Sequence, residues 1–152
     1  MFLYRHALEV ALKNAVRAGA AIFLFEDGEL VNLEKVHRSH DLQALSRDVM
    51  RLVDAFGLKG QTLRSMSVDD FLNLIHEFQE IDPQGGSFRY PLTTQQTHSL
   101  PVAFSFNLFS FCERLDGLIP DLEGLASVMR QDLTLRFDWS DVPWYDVLNF
   151  AD

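Results

Sequence analysis

Four residues near the start of the chain carry the groups that acid–base or anion chemistry uses. Arg5, Glu9 and Lys13 recur at every fourth position, with His6 beside them. On a helix this spacing stacks a guanidinium, a carboxylate and an amine one turn apart. On an exposed face such pairs are worth only about 0.2–0.5 kcal/mol each and describe a solvated stripe. Buried or turned towards a ligand, the same acid, base and donor set serves proton transfer or anion binding. A second group, His37-Arg38-Ser39-His40-Asp41, sets two imidazoles three residues apart. Histidines at that spacing can bind a metal, but no matching acidic or cysteine set accompanies them. The stretch reads first as a helix cap with a solvated histidine, and no metal is expected.

The third group surrounds Arg89. Glu80-Ile81-Asp82-Pro83 is followed by Ser87-Phe88-Arg89-Tyr90-Pro91, which sets a guanidinium between two aromatic rings in a proline-bounded loop. Arg89 there either holds the loop by pairing with Glu80 or Asp82, or grips a ligand carboxylate or phosphate in two-pronged fashion. His98 ends the polar run that begins at Thr93. Arg89 with His98, or Arg5 with His40, are the pairs that could join a phosphate-stabilising cation to a general base. The chain has no glycine-rich phosphate loop, no G-x-S-x-G elbow and no H-E-x-x-H, which removes the easily recognised enzyme classes.

The elements that must hold these residues are mainly helical. Tyr4, Leu8, Ala11, Leu12 and Ala15 fall on one face of a helix from Phe2 to about Ala18, which Ala20–Phe25 could extend past Gly19. Leu30 to Arg38 reads as a connector. Ser39 is placed to cap a second helix, with Asp41 suited to its positive end and a stripe of Leu42, Leu45, Val49, Leu52, Val53 and Phe56. Ser67 caps a third, whose buried stripe reads Val68, Phe71, Leu72, Ile75 and Phe78. That helix ends before Asp82-Pro83, because proline disfavours the helical state in the residue before it. Asp82 to Pro101 is a long loop, and loops of that length are often functional. Val102 to Leu118 is apolar nearly all round and predicts a central helix, buried on several sides or shared with a partner. Pro120 to Gln131 forms a fifth helix or a kinked continuation. From Thr134 the chain alternates Leu135, Phe137 and Trp139 with polar residues. This acidic-aromatic tail packs on the domain as a short strand or irregular segment, or docks on a partner.

The 152 residues are enough for one domain, with residues 1–131 as the helical body and 132–152 as the tail. A net charge of −9 repels phosphate, so RNA is a disfavoured partner, and binding it would take a local basic patch that net charge does not describe. One cysteine, Cys112, excludes an internal disulfide and fits a reducing compartment. It sits in an apolar run as a small hydrophobe. No signal-peptide layout is present, and no stretch reaches the roughly 20 apolar residues that cross a membrane. A cytoplasmic location follows as the expectation. No cofactor is implied.

Three stretches together resemble the HEPN family. Phe2-Leu3-Tyr4-Arg5-His6-Ala7-Leu8-Glu9 with Leu12-Lys13 looks like the opening helix of many bacterial HEPN-like proteins. Ser39-His40-Asp41-Leu42 with Leu45 resembles their second-helix start. Asp82-Pro83 through Phe88-Arg89-Tyr90-Pro91 resembles a loop of one uncharacterised branch. The resemblance covers roughly residues 2 to 131. It implies an all-α bundle of four to five helices, often dimeric, here through the apolar fourth helix. It also implies a metal-independent ribonuclease, or an inactive binding module, in a toxin–antitoxin or phage-defence setting. The active members carry an arginine, four to six residues, then a histidine. None of His6, His37, His40, His76 or His98 has an arginine at that distance, and Arg89 and His98 are separated by eight residues. The expectation is therefore a degenerate, non-catalytic module acting by protein association or ligand binding. The alternatives are a ribonuclease with a rearranged site built on Arg89, His98 and His40, and an acidic inhibitor that mimics nucleic acid.

Overall fold

The computed structural model describes residues 2–25, 31–58, 63–82 and 107–136. Arg89, Tyr90, His98, most of the expected loop and the segment 137–152 lie outside them. The described residues form five α-helices and no strand: α1 (Phe2–Phe25), α2 (Leu33–Arg38), α3 (Leu42–Ala55), α4 (Val68–Ile81) and α5 (Leu108–Arg136). The chain is an all-α bundle, and among the described residues no helix is long and apolar enough to cross a membrane.

The opening helix is the centre of the bundle, where the sequence pattern predicts the fourth. It packs along both α3 and α5 and touches α2. Leu8, Ala11, Leu12, Ala15 and Val16 are fully or almost fully buried on it. Gly19 does not end the helix, because it serves a close approach. A Cβ built there would stand 2.9 Å from both Leu52 Cδ1 on α3 and Met129 Sδ on α5. This three-way contact also sets directions. Tyr4 reaches Asp116 and Gly19 meets Met129, so α5 runs parallel to α1. Arg5 reaches His40 and Gly19 meets Leu52, so α3 runs parallel to α1 as well. Parallel neighbours need a return stroke, and the short α2, read from the sequence as a connector, supplies part of it. Helix α4 runs antiparallel to α5. Phe78 packs on Phe111 with ring centroids 4.6 Å apart, while Ser65, just ahead of α4, bonds Asp121.

Helix α5 is one 29-residue helix through Pro120, so the expected fifth helix is its continuation. Pro120 lacks an N–H and leaves the Asp116 carbonyl without its helical donor, at a cost of up to about 3 kcal/mol. The offset is a continuous buried stripe of Leu115, Leu118, Leu122, Leu125 and Met129. Each such side chain contributes roughly 1.5–3 kcal/mol. The helix also carries Thr134 and Leu135, which the alternating pattern had assigned to the tail. Most of the apolar content of α5 is thus explained by burial within one chain, with Phe109 and Leu135 as the strongly exposed exceptions. On α4 the stripe is Phe71, Leu74, Ile75 and Phe78, whereas Leu72 faces outward.

The caps follow local chemistry. Asp41, not Ser39, is the N-cap of α3: its carboxylate accepts from Ala44 N at 3.0 Å, and Ser39 Oγ accepts from Asp41 N one step earlier. A carboxylate accepts more strongly than a hydroxyl at the positive helix end. Ser67 caps α4 as expected. Asp121 Oδ2 accepts from Arg64 N, Ser65 N and Ser65 Oγ at 2.9, 2.8 and 2.6 Å, which pins the entry to α4 against α5.

Two glycine substitutions should separate these effects. Gly19→Ala should lower stability by about 1 kcal/mol or more, because overpacking outweighs the gain in helix propensity. A Cβ at Gly124 meets nothing within 4 Å. Gly124→Ala should therefore raise stability by about 0.5–1 kcal/mol. Denaturant midpoints of the two variants check both signs.

Candidate functional site

The polar residues of α1 gather in a buried network, not a solvated stripe. Arg5, 1% exposed, is among the largest fully buried side chains. Its NH1 donates to Glu9 Oε2 at 2.9 Å, and its NH2 donates to the His40 carbonyl at 2.6 Å. Its Nε faces Asp82, 3.5 Å from the carbonyl and 3.8 Å from Oδ2. Glu9 Oε1 accepts from Lys13 Nζ at 2.8 Å and from His40 Nδ1 at 3.0 Å. Lys13 also donates to the His37 carbonyl at 3.1 Å. The network joins α1, the α2–α3 connection and the end of α4.

Burial would raise the pKa of Glu9, but the hydrogen bond and charge of Lys13, then His40 and Arg5, hold it below its ordinary 4.5. An ionised carboxylate only accepts, so His40 Nδ1 carries the proton and Nε2 holds the lone pair of the neutral ring. The His40 side chain is 64% exposed. Glu9 and His40 therefore form a carboxylate-oriented imidazole at the surface, the arrangement of a general base. His37 has the opposite tautomer, since Arg17 NH2 donates to its Nδ1 at 2.8 Å. The two histidines thus turn to different partners, and among the described residues no group of three or more His, Cys, Asp or Glu could hold a metal ion.

The remaining sequence candidates are placed as follows. His6 is exposed and stacks on Phe2, apart from the network. Asp41 is the α3 cap. Glu80 is exposed and lies 3.5 Å from His76 Nε2, one turn back on the same helix. Arg5 and His40 are brought together, but through the histidine's carbonyl. With its donors turned to Glu9, His40 and Asp82, Arg5 is a clamp inside the protein and offers no face to a phosphate.

Two surface clefts lie away from the network. The larger, about 280 Å³, sits over Gly124 between Leu58, Arg64, Asp121 and Val128. The smaller, about 150 Å³, runs between α2 and α3 and is lined by Val36, Leu45, Lys35, Arg47, Asp48 and Arg51, among others. Burial raises the pKa of Asp48, although Arg51, Lys35 and Arg47 oppose it. The sequence reading missed this groove. Its signal is the charge balance: residues 1–51 hold seven Lys or Arg and seven Asp or Glu, so the whole net charge of −9 falls after them.

No family model matches this chain, no curated protein matches it, and no solved structure matches it. The fold class therefore stands on the helices themselves, and the HEPN resemblance on the three sequence motifs.

Removing Arg5 leaves Glu9 and Asp82 buried without their cation, so Arg5→Ala should cost about 3–5 kcal/mol. Replacing Arg5 and Glu9 together by methionine should cost less than the single change. Equilibrium unfolding of the three proteins tests the order. Because the folded pKa of Glu9 is lowered, its stabilisation is fully present above pH 4.5 and is lost as pH falls through the folded value. Asp48 acts with the opposite sign, since its raised pKa makes acidification above its ordinary 3.8 favour the folded chain. Glu9→Gln should flatten the acid loss of stability that the parent shows below about pH 4.5, read from unfolding midpoints across that range.

Proposed function

We propose that this chain is a non-catalytic, HEPN-like helical module that acts by associating with a protein or ligand in a phage-defence or toxin–antitoxin setting. The observation that carries the reading is the commitment of the charges on α1 to the protein itself. Arg5 is buried against Glu9, Asp82 and the His40 carbonyl, and Lys13 against Glu9 and the His37 carbonyl. A metal-independent ribonuclease needs a cation turned towards the scissile phosphate. The absent arginine–histidine spacing points the same way. A homodimer through the apolar run that opens α5, where Phe109 is exposed, and a cytoplasmic location belong to this proposal.

A second reading, a ribonuclease with a rearranged site, has one observation in its favour. Glu9 orients His40 so that Nε2 is available to take a proton, for instance from a ribose 2′-hydroxyl. Arg89 and His98 would have to supply the remaining groups.

Incubating the purified chain with mixed cellular RNA, without metal, decides between the two. The module reading expects no cleavage above background, and the same result for Arg89→Ala, His98→Ala and His40→Ala. Cleavage by the parent chain that disappears in any of these variants, with helicity intact, overturns it and establishes the ribonuclease.

A further inference from the structure

The groove between α2 and α3 has an excess of positive charge in a chain that is strongly negative. Lys35, Arg47 and Arg51 surround it. Arg51 lies 3.4 Å from Asp48, whereas among the described residues the Lys35 and Arg47 side chains make no ion pair or hydrogen bond. Among the described residues the groove therefore sets three cations against the single carboxylate Asp48, above an apolar floor of Val36 and Leu45. A segment that complements it carries acidic groups next to large apolar side chains and no cation.

Residues 137–152 have that composition. They contain Asp138, Asp141, Asp146 and Asp152, no Lys, Arg or His, and Phe137, Trp139, Trp144, Tyr145, Leu148 and Phe150 between them. The geometry of the bundle also delivers them to the right end. Helix α5 runs parallel to α1 and α3, and Met129 and Leu52 meet at Gly19. Arg136, the last described residue of α5, is thus on the same end of the bundle as Arg51. Sixteen extended residues span up to roughly 50 Å, more than the width of a domain of this size. The larger cleft is a poorer match, because it pairs one cation, Arg64, with one carboxylate, Asp121.

We propose that residues 137–152 dock intramolecularly in the α2–α3 groove, with aspartates against Lys35 and Arg47 and an aromatic side chain on the apolar floor. This inference is independent of whether the chain cleaves RNA.

The test uses the full chain, because both of its tryptophans, Trp139 and Trp144, lie in the segment. Acrylamide quenching of their fluorescence is measured for the parent, for Lys35→Glu/Arg47→Glu, and for Arg64→Glu/Arg130→Glu as a control of equal charge change. Lys35 and Arg47 are exposed, so helicity should not change. The expected result is a quenching constant at least twofold higher in the groove variant than in the parent, with the control like the parent. Added salt should raise the parent value, since screening weakens surface ion pairs. Equal quenching in the parent and the groove variant overturns the proposal. So does a parent value that varies with protein concentration, which would assign the docking to a second copy of the chain.

Discussion

A buried guanidinium decides how this bundle closes. Arg5 lies inside the central helix, and its three nitrogens reach three different parts of the chain: Glu9 on the same helix, the backbone ahead of α3, and the last residue capping α4. Taking a charge this far out of water costs several kcal/mol unless partners replace the lost hydration. The partners here are two carboxylates and two carbonyls, drawn from elements separated by 35 and 77 residues of sequence. The connection between α2 and α3 must therefore pass over α1 at the level of Arg5, and α4 must end there. The apolar stripes alone would permit sliding along the helix axes. The polar cluster selects one register, because a shifted bundle would leave Glu9, Arg5 and Asp82 buried and mismatched.

The opposite end of the bundle is fixed by a missing atom. Gly19 lets Leu52 and Met129 approach the backbone of α1, and this is where α3 and α5 converge. The two ends use different physics. At the Arg5 end, directional bonds specify position and exclude alternatives at a desolvation cost. At the Gly19 end, close packing supplies dispersion contacts that a methyl group would disrupt. At the Arg5 end, the half-buried Tyr4 also donates to Asp116 at 2.9 Å, and that bond pushes the phenol pKa up to about 12. The neutral phenol thus donates to a carboxylate on α5.

How much of this could be read from the letters differs by kind of interaction. Amphipathic period and proline punctuation located α1, α3 and α4, since those signals are local. Ser67 before Val68 marked a cap for the same reason. Long-range consequences were not legible. The apolar run after Val102 reads as the most buried helix, yet Arg5 and Glu9 make α1 the central one, and periodicity cannot show that a charged pair will be enclosed by neighbours. Pro120 reads as a break, but the stripe from Leu115 to Met129 lies on one face across it, so packing overrides the local preference. The cluster of Arg5, Glu9, Lys13, His40 and Asp82 was legible as a set of candidate residues, while His6, only one position from Arg5, points elsewhere. Which members touch depends on the α2–α3 path, and nothing in the spacing encodes that path.

The distribution of charge ties the fold to the proposed role. In an acidic chain, an enzyme acting on phosphates would have to collect its cations at an open site to overcome the general repulsion. This chain does something else with them. Arg5 and Lys13 are turned inward, Arg38 is taken by Glu34, and Arg114 by Glu77 and the Asp70 carbonyl. Lys35 and Arg47, whose side chains make no ion pair or hydrogen bond among the described residues, flank a shallow groove whose lining holds no imidazole and one carboxylate, the half-buried Asp48. A surface of that kind suits the attraction of negative charge, in keeping with the proposed binding role. The exposed imidazole of His40 is close in sequence but is bound to Glu9, in the network on the other side of the connection. Among the described residues, the groove cations Lys35 and Arg47 are thus not drawn into the network that orients the His40 imidazole, and that separation is the physical ground on which the proposed binding role rests.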